Sequence, residues 1–169
     1  MSDYDSRPDT LAHINQVREL LAEVQTNLSE RSRVHDASKL EDPERAVFDE
    51  FTPKLRTSTY GSDEYKAFLV GMGEGLQHHY AHNSHHPEHY PGGFYEMTLL
   101  DVIEMLADWK AATMRHDDGD LAKSIVMNAE RFGYDSAMTA MLLKTAKEVG
   151  WLPGPLPQVE WAGNVSVTR

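Results

Sequence analysis

The 169-residue sequence contains no cysteine, which excludes disulfide bonds, zinc sites built on thiolates and cysteine nucleophiles. It also has no apolar run approaching the roughly 20 residues that a membrane-spanning helix needs. The first ten residues, MSDYDSRPDT, are polar and acidic, which is not typical of a signal peptide. We therefore expect a soluble, cytoplasmic protein without a membrane partner.

Positive charge is also scarce, because 16 Lys and Arg residues face 27 Asp and Glu residues and the net charge is −11. Such a chain repels duplex nucleic acid, whose affinity for proteins comes largely from Lys and Arg. A small phosphorylated substrate remains compatible with this charge, since a few basic groups and a divalent metal can reverse the field locally.

The sequence predicts an all-α fold, because apolar residues recur at helical spacing and no segment shows the sustained alternation of a strand. We expect a compact bundle of about six or seven helices, covering residues 10–29, 32–40, 43–55, 63–82, 98–115, 120–132 and 136–149. Residues 1–152 are predicted to form one domain, followed by a Pro- and Gly-rich tail over residues 153–169. The predicted core face of the first helix consists of Leu11, Ile14, Val17, Leu20, Leu21, Val24 and Leu28.

The predicted helix over residues 63–82 carries three glycines, Gly71, Gly73 and Gly75. Each costs a helix roughly 1 kcal/mol relative to alanine. Close contact with another helix, or room for a ligand, would explain why they are there.

Histidines are concentrated in the segment QHHYAHNSHHPEHY, residues 77–90, which holds six of the nine in the chain. The segment is internal and interrupted by other residues, so it is not an expression tag. Two further sites attract attention. His13 lies on the apolar side of the first helix, where a histidine in the core is the simpler interpretation. His35 and Asp36 are adjacent in RVHDASKL, where a solvated polar turn is the simpler interpretation.

The predicted helix LLDVIEMLADWKAATM is apolar around most of its circumference, yet Asp101, Glu104 and Asp108 share one face. Buried carboxylates are costly unless they are paired or bind a metal. The simpler interpretation is that Asp101 supports an N-terminal cap by Thr98 and that Glu104 faces solvent or an arginine. We adopt this interpretation for Asp101. Asp108 lies deep in the helix, where a cation is the more attractive partner.

His13, the pair His35 and Asp36, and then Asp108 form an H…HD…D pattern that resembles the HD-domain metal-dependent phosphohydrolases. The runs HDASK and LADWKAA strengthen the likeness, which covers residues 13–109. The combination TLAHINQV, HDASKL, HHYAHNSHHPE and EMLADW also resembles a group of small HD-like proteins. The resemblance implies an HD-domain-like helical fold in which these four residues bind a divalent metal. It also implies that Lys39 compensates the charge of a phosphate.

The resemblance thus implies hydrolysis of a nucleotide or similar small phosphate ester by a metal-activated water. Imidazole and carboxylate ligands together suit Mn²⁺, Fe²⁺, Co²⁺, Ni²⁺ or Zn²⁺, and we expect one or two ions per chain. Asp36 would orient the water as well as bind metal. The base, the sugar and the number of phosphates stay open.

Within the histidine-rich segment, His79 and Asn83 share the buried helix face, and His79 is a candidate substrate or additional metal residue. His86 and Glu88 follow in the loop and are candidate catalytic groups, with Asn83 and His86 also expected to contact substrate. Side chains expected to matter less are His78, His82 and His89.

Two alternatives remain beside the hydrolase. The excess of histidines is compatible with an HD-type dinuclear iron oxygenase in which His79 contributes to a second iron site. A non-catalytic HD-like protein that binds metal or nucleotide is the other. Trp151 and Trp161 in the tail would pack either on a neighbouring subunit of a homo-oligomer or on the core of their own chain.

Overall fold

The computed structural model describes residues 4–59, 61–115 and 119–157, and within these ranges the chain has seven α-helices, three short 3₁₀ helices and no strand. The predicted all-α fold is therefore confirmed. The chain divides into two compact units, Met1–His35 and Asp36–Arg169. The assignment of residues 1–152 to one domain stays a prediction.

The N-terminal unit is built on one long helix, α1 (Arg7–Val34), which has Pro8 in its first turn and no buried residue. Six of the seven residues of its predicted core face are exposed, from 40% at Val17 to 60% at Leu20, and Leu28 is half-buried, so the prediction that this face forms core is wrong. The physical reason is that helical spacing identifies residues on one face but not what covers that face. His13 is exposed as well.

Three helices follow the 3₁₀ turn Ala37–Leu40, namely α2 (Glu44–Thr57), α3 (Asp63–Gly71) and α4 (Gly73–His82). The single helix predicted over residues 63–82 is divided because Gly73 adopts the left-handed conformation, with φ of 48°. Pro53 lies inside α2 without ending it. A Cβ atom added to Gly75 would lie 2.6 Å from Val47 Cγ2, so this glycine allows α4 to approach α2 closely.

The core lies among α5 (Leu99–Thr113), α6 (Leu121–Phe132) and α7 (Ser136–Glu148). Its buried members are Phe94, Val102, Met105, Leu106, Leu121, Ile125, Tyr134, Leu142, Leu143, Ala146 and Leu152. Trp151 and Leu156 pack against this core, so the segment after α7 covers its own chain. Trp161 lies outside the described residues.

A loop over residues 83–97 connects α4 to α5 and is held by Asp101, whose side chain is buried. Asp101 forms a capping box with Thr98, as predicted. Its carboxylate also accepts hydrogen bonds from Ser84 Oγ at 2.7 Å and from Tyr90 Oη at 2.9 Å. The start and the middle of the histidine-rich loop are therefore tied to the first turn of α5.

Candidate metal centre

Four side chains of the second unit bring one donor atom each to a common point, with all these atoms within 4.8 Å of one another. They are Asp36, His79, His85 and His86. His79 Nε2 lies 2.9 Å from His86 Nε2 and 3.5 Å from Asp36 Oδ1. His85 Nε2 also lies 3.5 Å from Asp36 Oδ1. The cluster thus combines one carboxylate with three imidazoles.

Each member reaches the cluster from a different local structure. Asp36 has φ of 56°, a left-handed conformation that aspartate tolerates better than most residues, immediately before the turn Ala37–Leu40. His79 lies on the buried side of α4 with Asn83, as the helical phase predicts, and the two are 1% and 8% exposed. His85 and His86 come from the loop that Asp101 anchors, and His85 is 2% exposed.

These distances fit the coordination shell of a transition metal. Ligand bonds of about 2 Å at tetrahedral angles put neighbouring donor atoms about 3.3 Å apart. The three distances of 2.9, 3.5 and 3.5 Å lie on both sides of that value. Nitrogen and oxygen donors in this mixture are the ligands that Mn²⁺, Fe²⁺, Co²⁺, Ni²⁺ and Zn²⁺ accept. The described residues can therefore hold such an ion.

The imidazoles of His79 and His86 are kept neutral by their surroundings. Burial, and after it the charge of Lys39, lowers the pKa of His79, although Asp36 and Glu44 oppose the shift. Burial, His85 and His79 lower the pKa of His86 to about 2, although Asp108 opposes the shift. A neutral imidazole keeps one ring nitrogen with a lone pair, which is the form that binds metals.

Two further predicted residues lie close to the cluster. Lys39 Nζ is 2.6 Å from Asp36 Oδ2, and it also lies 4.8 Å from the centre of the Phe48 ring. An oxygen of Asp108, on α5, lies within 4.8 Å of an Asp36 oxygen. A cationic amine and a second carboxylate therefore border the donor set.

A family model matches residues 2–149. The chain belongs to DUF5662, a family of unknown function. The curated proteins and the solved structures gave no match. Among the helices that the structure describes, none has the length and apolar character needed to cross a membrane.

Not every predicted site residue of this DUF5662 protein lies in the cluster. Glu88 pairs with Arg131, with 2.6 Å between Oε1 and Nη2, and is not in any donor group found within the described residues. Asn83 supports His79, since its Nδ2 donates to the His79 carbonyl oxygen at 2.8 Å. His13 and His35 belong to the N-terminal unit, and their role as ligands stays a prediction.

The histidines expected to matter less lie around the cluster. His78 Nδ1 is 2.7 Å from Glu44 Oε1, and the His78 ring stacks on that of His82. His82 Nδ1 is 2.8 Å from the His78 carbonyl oxygen, and His89 Nδ1 is 2.9 Å from the Tyr80 carbonyl oxygen. The smaller importance of these three histidines stays a prediction.

Sequence reasoning missed three residues of this region, His85, Glu44 and Glu104. His85 follows the end of α4, where helical phase no longer predicts a direction. Glu44 is the first residue of α2, a position where a carboxylate usually serves the helix dipole in solvent, but it is fully buried. Glu104 Oε1 lies 3.3 Å from His85 Nδ1, whereas the sequence left open whether Glu104 faces solvent, an arginine or a cation. Its place on the same face as Asp108 was the available signal.

Proposed function

We propose that this DUF5662 protein is a metal-dependent phosphohydrolase that acts on a nucleotide or a similar small phosphate ester. The observation that carries the proposal is the convergence of the Asp36 carboxylate with three imidazoles, next to the ammonium group of Lys39. A metal site with an adjacent cation suits a phosphate, which needs several positive charges around it.

The likeness to HD-domain phosphohydrolases supports the same reaction class. In that resemblance His13, His35, Asp36 and Asp108 are the ligands. Asp36 and Asp108 lie close together in the second unit, as such a ligand set requires. His79, His85 and His86 add donors to the set on the Asp36 side.

A bound divalent ion polarises a phosphoryl oxygen and lowers the pKa of water. In hydrolysis, a water oxygen forms a bond to phosphorus, the ester P–O bond breaks, and the leaving oxygen receives a proton. Asp36 orients the water, and Lys39 compensates the charge of the phosphate. His86 and Glu88 are the candidates for transferring the proton. Burial, His85 and His79 lower the pKa of His86 to about 2, so its neutral ring is a weak base at physiological pH, whereas an effective general base has a pKa near the operating pH.

Metal analysis of the purified protein, combined with a screen of nucleoside mono- and triphosphates for phosphate release, tests the proposal. We expect a transition metal and metal-dependent release of phosphate. Asp36→Asn should lower both. Asp42→Asn is a matched control, because Asp42 lies nearby in sequence with a side chain that is 67% exposed. A protein that binds no transition metal, or whose hydrolysis is unchanged in Asp36→Asn, would contradict the proposal.

Lys39 has a separate test. Its side chain is 30% exposed and its ammonium group is paired with Asp36. Lys39→Ala should leave the metal content unchanged and raise the KM for the phosphate substrate. Loss of metal or of folding in this variant would assign Lys39 to the structure of the site instead.

A dinuclear iron oxygenase is the second candidate. It is favoured by the number of donors, because His79, His85 and His86 exceed what a mononuclear H…HD…D site uses. Two iron ions per chain, with no release of phosphate from any substrate in the screen, would favour it over the hydrolase. Loss of one of two ions in His79→Ala would point the same way.

A further inference from the structure

Two carboxylates, those of Glu44 and Glu104, lie next to imidazoles of the candidate metal centre on the side of the ring away from Asp36. Glu44 is fully buried, and its Oε2 lies 2.9 Å from His79 Nδ1. Glu104 has a side chain that is 13% exposed, and its Oε1 lies 3.3 Å from His85 Nδ1. In both cases the carboxylate faces Nδ1, whereas Nε2 of the same ring faces Asp36 Oδ1 at 3.5 Å.

The hydrogen bonds around Glu44 determine which nitrogen of His79 carries the hydrogen. An ionised carboxylate only accepts hydrogen bonds, so the hydrogen between Glu44 and His79 belongs to Nδ1. Asn83 Nδ2 also lies 3.0 Å from His79 Nδ1, but this amide has other acceptors for its two hydrogens. Its Nδ2 lies 2.8 Å from the His79 carbonyl oxygen and 2.8 Å from Ser38 Oγ. The hydrogen on His79 Nδ1 thus remains available to Glu44.

Glu44 has hydrogen-bond partners on both oxygens of its carboxylate. Ser38 Oγ donates to Oε2 at 2.9 Å, and His78 Nδ1 lies 2.7 Å from Oε1. The carboxylate is therefore held in one orientation by partners on both oxygens.

We propose that Glu44 and Glu104 are positioning residues that hold His79 and His85 in the tautomer with hydrogen on Nδ1, so that both Nε2 lone pairs point toward Asp36. The role of the two carboxylates in metal binding rests on the proposed metal site, whereas the assigned tautomers of His79 and His85 do not. A carboxylate behind a histidine ligand fixes the ring and increases its basicity, and removal of such a partner lowers metal affinity about 10- to 100-fold.

A purely structural role for Glu44 is the competing explanation, since the same carboxylate satisfies His78 and Ser38. The two roles differ in what they predict for the tautomer and for metal affinity. Glu44→Met keeps a side chain of similar length but removes the acceptor oxygens. Glu44→Gln keeps one acceptor oxygen, which can take the place of Oε2 opposite His79. A positioning role therefore predicts a large effect of methionine and partial rescue by glutamine.

The first test is made on the full chain without metal, in the presence of a chelator. Two-bond ¹H–¹⁵N correlation spectra of the histidine rings report which nitrogen carries the hydrogen. We expect the Nδ1–H form for His79 and His85. Glu44→Met should remove this preference at His79 and leave it at His85, and Glu104→Met should do the reverse. Hydrogen on Nε2 in the unmodified protein, or tautomers unchanged by both substitutions, would overturn the proposal.

The second test measures the affinity for Co²⁺, whose absorption spectrum also reports the ligand geometry. Glu44→Met should weaken binding about 10- to 100-fold, and Glu44→Gln should weaken it less. Glu74→Met is the control, because Glu74 is an exposed residue in the first turn of α4. If Glu44→Met does not fold, Glu104→Met supplies the same comparison at a less buried position.

The two tests distinguish failure of this inference from failure of the proposed function. If the unmodified protein binds no Co²⁺ but shows the two Nδ1–H tautomers, the phosphohydrolase proposal fails and the assignment of the rings stands. If Co²⁺ binds with equal affinity to the unmodified protein, to Glu44→Met and to Glu104→Met, the positioning role fails and the metal site stands.

Discussion

Replacement of Asp101 should destabilise the protein strongly, because its buried carboxylate joins the first turn of α5 to the histidine-rich loop. Oδ2 accepts from the Thr98 amide at 2.8 Å, from Thr98 Oγ1 at 2.6 Å and from Tyr90 Oη at 2.9 Å. Oδ1 accepts from Ser84 Oγ at 2.7 Å. Asp101→Ala removes all four hydrogen bonds. Asp101→Asn can keep four hydrogen bonds without the charge. Its amide oxygen then takes the place of Oδ2 and faces Tyr90, and its amide group faces Ser84, whose hydroxyl rotates to accept.

The expected magnitude follows from these contacts. Loss of a helix cap costs about 1 kcal/mol, and each buried donor left unsatisfied costs about 1 to 3 kcal/mol. Because Asp101 serves both the cap and the loop, Asp101→Ala should lower the free energy of unfolding by about 3 to 5 kcal/mol. Asp101→Asn loses only the contribution of the charge, so it should lower that free energy by about 1 to 2 kcal/mol.

Urea denaturation of the metal-free protein, followed by circular dichroism, measures both free energies. Asp63→Ala is the matched control, because Asp63 also lies in the first turn of a helix but has a fully exposed side chain. It should change the free energy of unfolding by no more than about 0.5 kcal/mol. A loss below about 1 kcal/mol in Asp101→Ala, or equal losses in the alanine and asparagine variants, would refute the role assigned to Asp101.

Three other substitutions test the packing and the site. Gly75→Ala places a Cβ atom 2.6 Å from Val47 Cγ2, so it should lower the free energy of unfolding, measured with urea, by about 1 to 3 kcal/mol. Addition of Val47→Ala to this variant should recover part of the lost free energy. Leu143→Ala should lower the free energy of unfolding by about 2 to 5 kcal/mol because Leu143 is 1% exposed. Leu21→Ala should lower it by less than about 1 kcal/mol because Leu21 is 57% exposed. Similar losses in the two variants would contradict the exposure of Leu21. Glu88→Gln should keep the metal content and slow phosphate release about 100-fold or more, and an unchanged rate would remove Glu88 from the reaction.

The all-α class and most helix N-termini could be predicted from the sequence because they depend on interactions between residues that are close together in the chain. Ser62, Thr98 and Asp135 cap helices as side-chain acceptors of backbone hydrogens, and such caps need only neighbours three residues away. The inward direction of His79 and Asn83 followed from the phase of α4 in the same way. The division between α3 and α4 was not predicted, because one left-handed glycine among three is a choice of backbone conformation that composition does not reveal.

Local pattern and tertiary contact contribute different parts of the candidate site. The HDASK run and the histidine-rich segment contain histidines and carboxylates, so the sequence by itself predicts imidazole and carboxylate ligands. Which histidines converge depends on contacts between distant segments. Glu44 and His79 are 35 residues apart, and His85 lies in a loop whose direction comes from the anchor at Asp101.

Tertiary structure alone decides the roles of Glu44 and Glu104. Glu44 looks like a surface residue in the sequence, because a carboxylate at a helix start is usually solvated. The place of Glu104 on the same face as Asp108 indicates a carboxylate that needs a partner, but it does not identify that partner. Burial changes that reading, since a carboxylate taken from water must be paired with donors, and the donors here are imidazole nitrogens from other segments of the chain. No local pattern contains that information, because it depends on which segments the fold brings together.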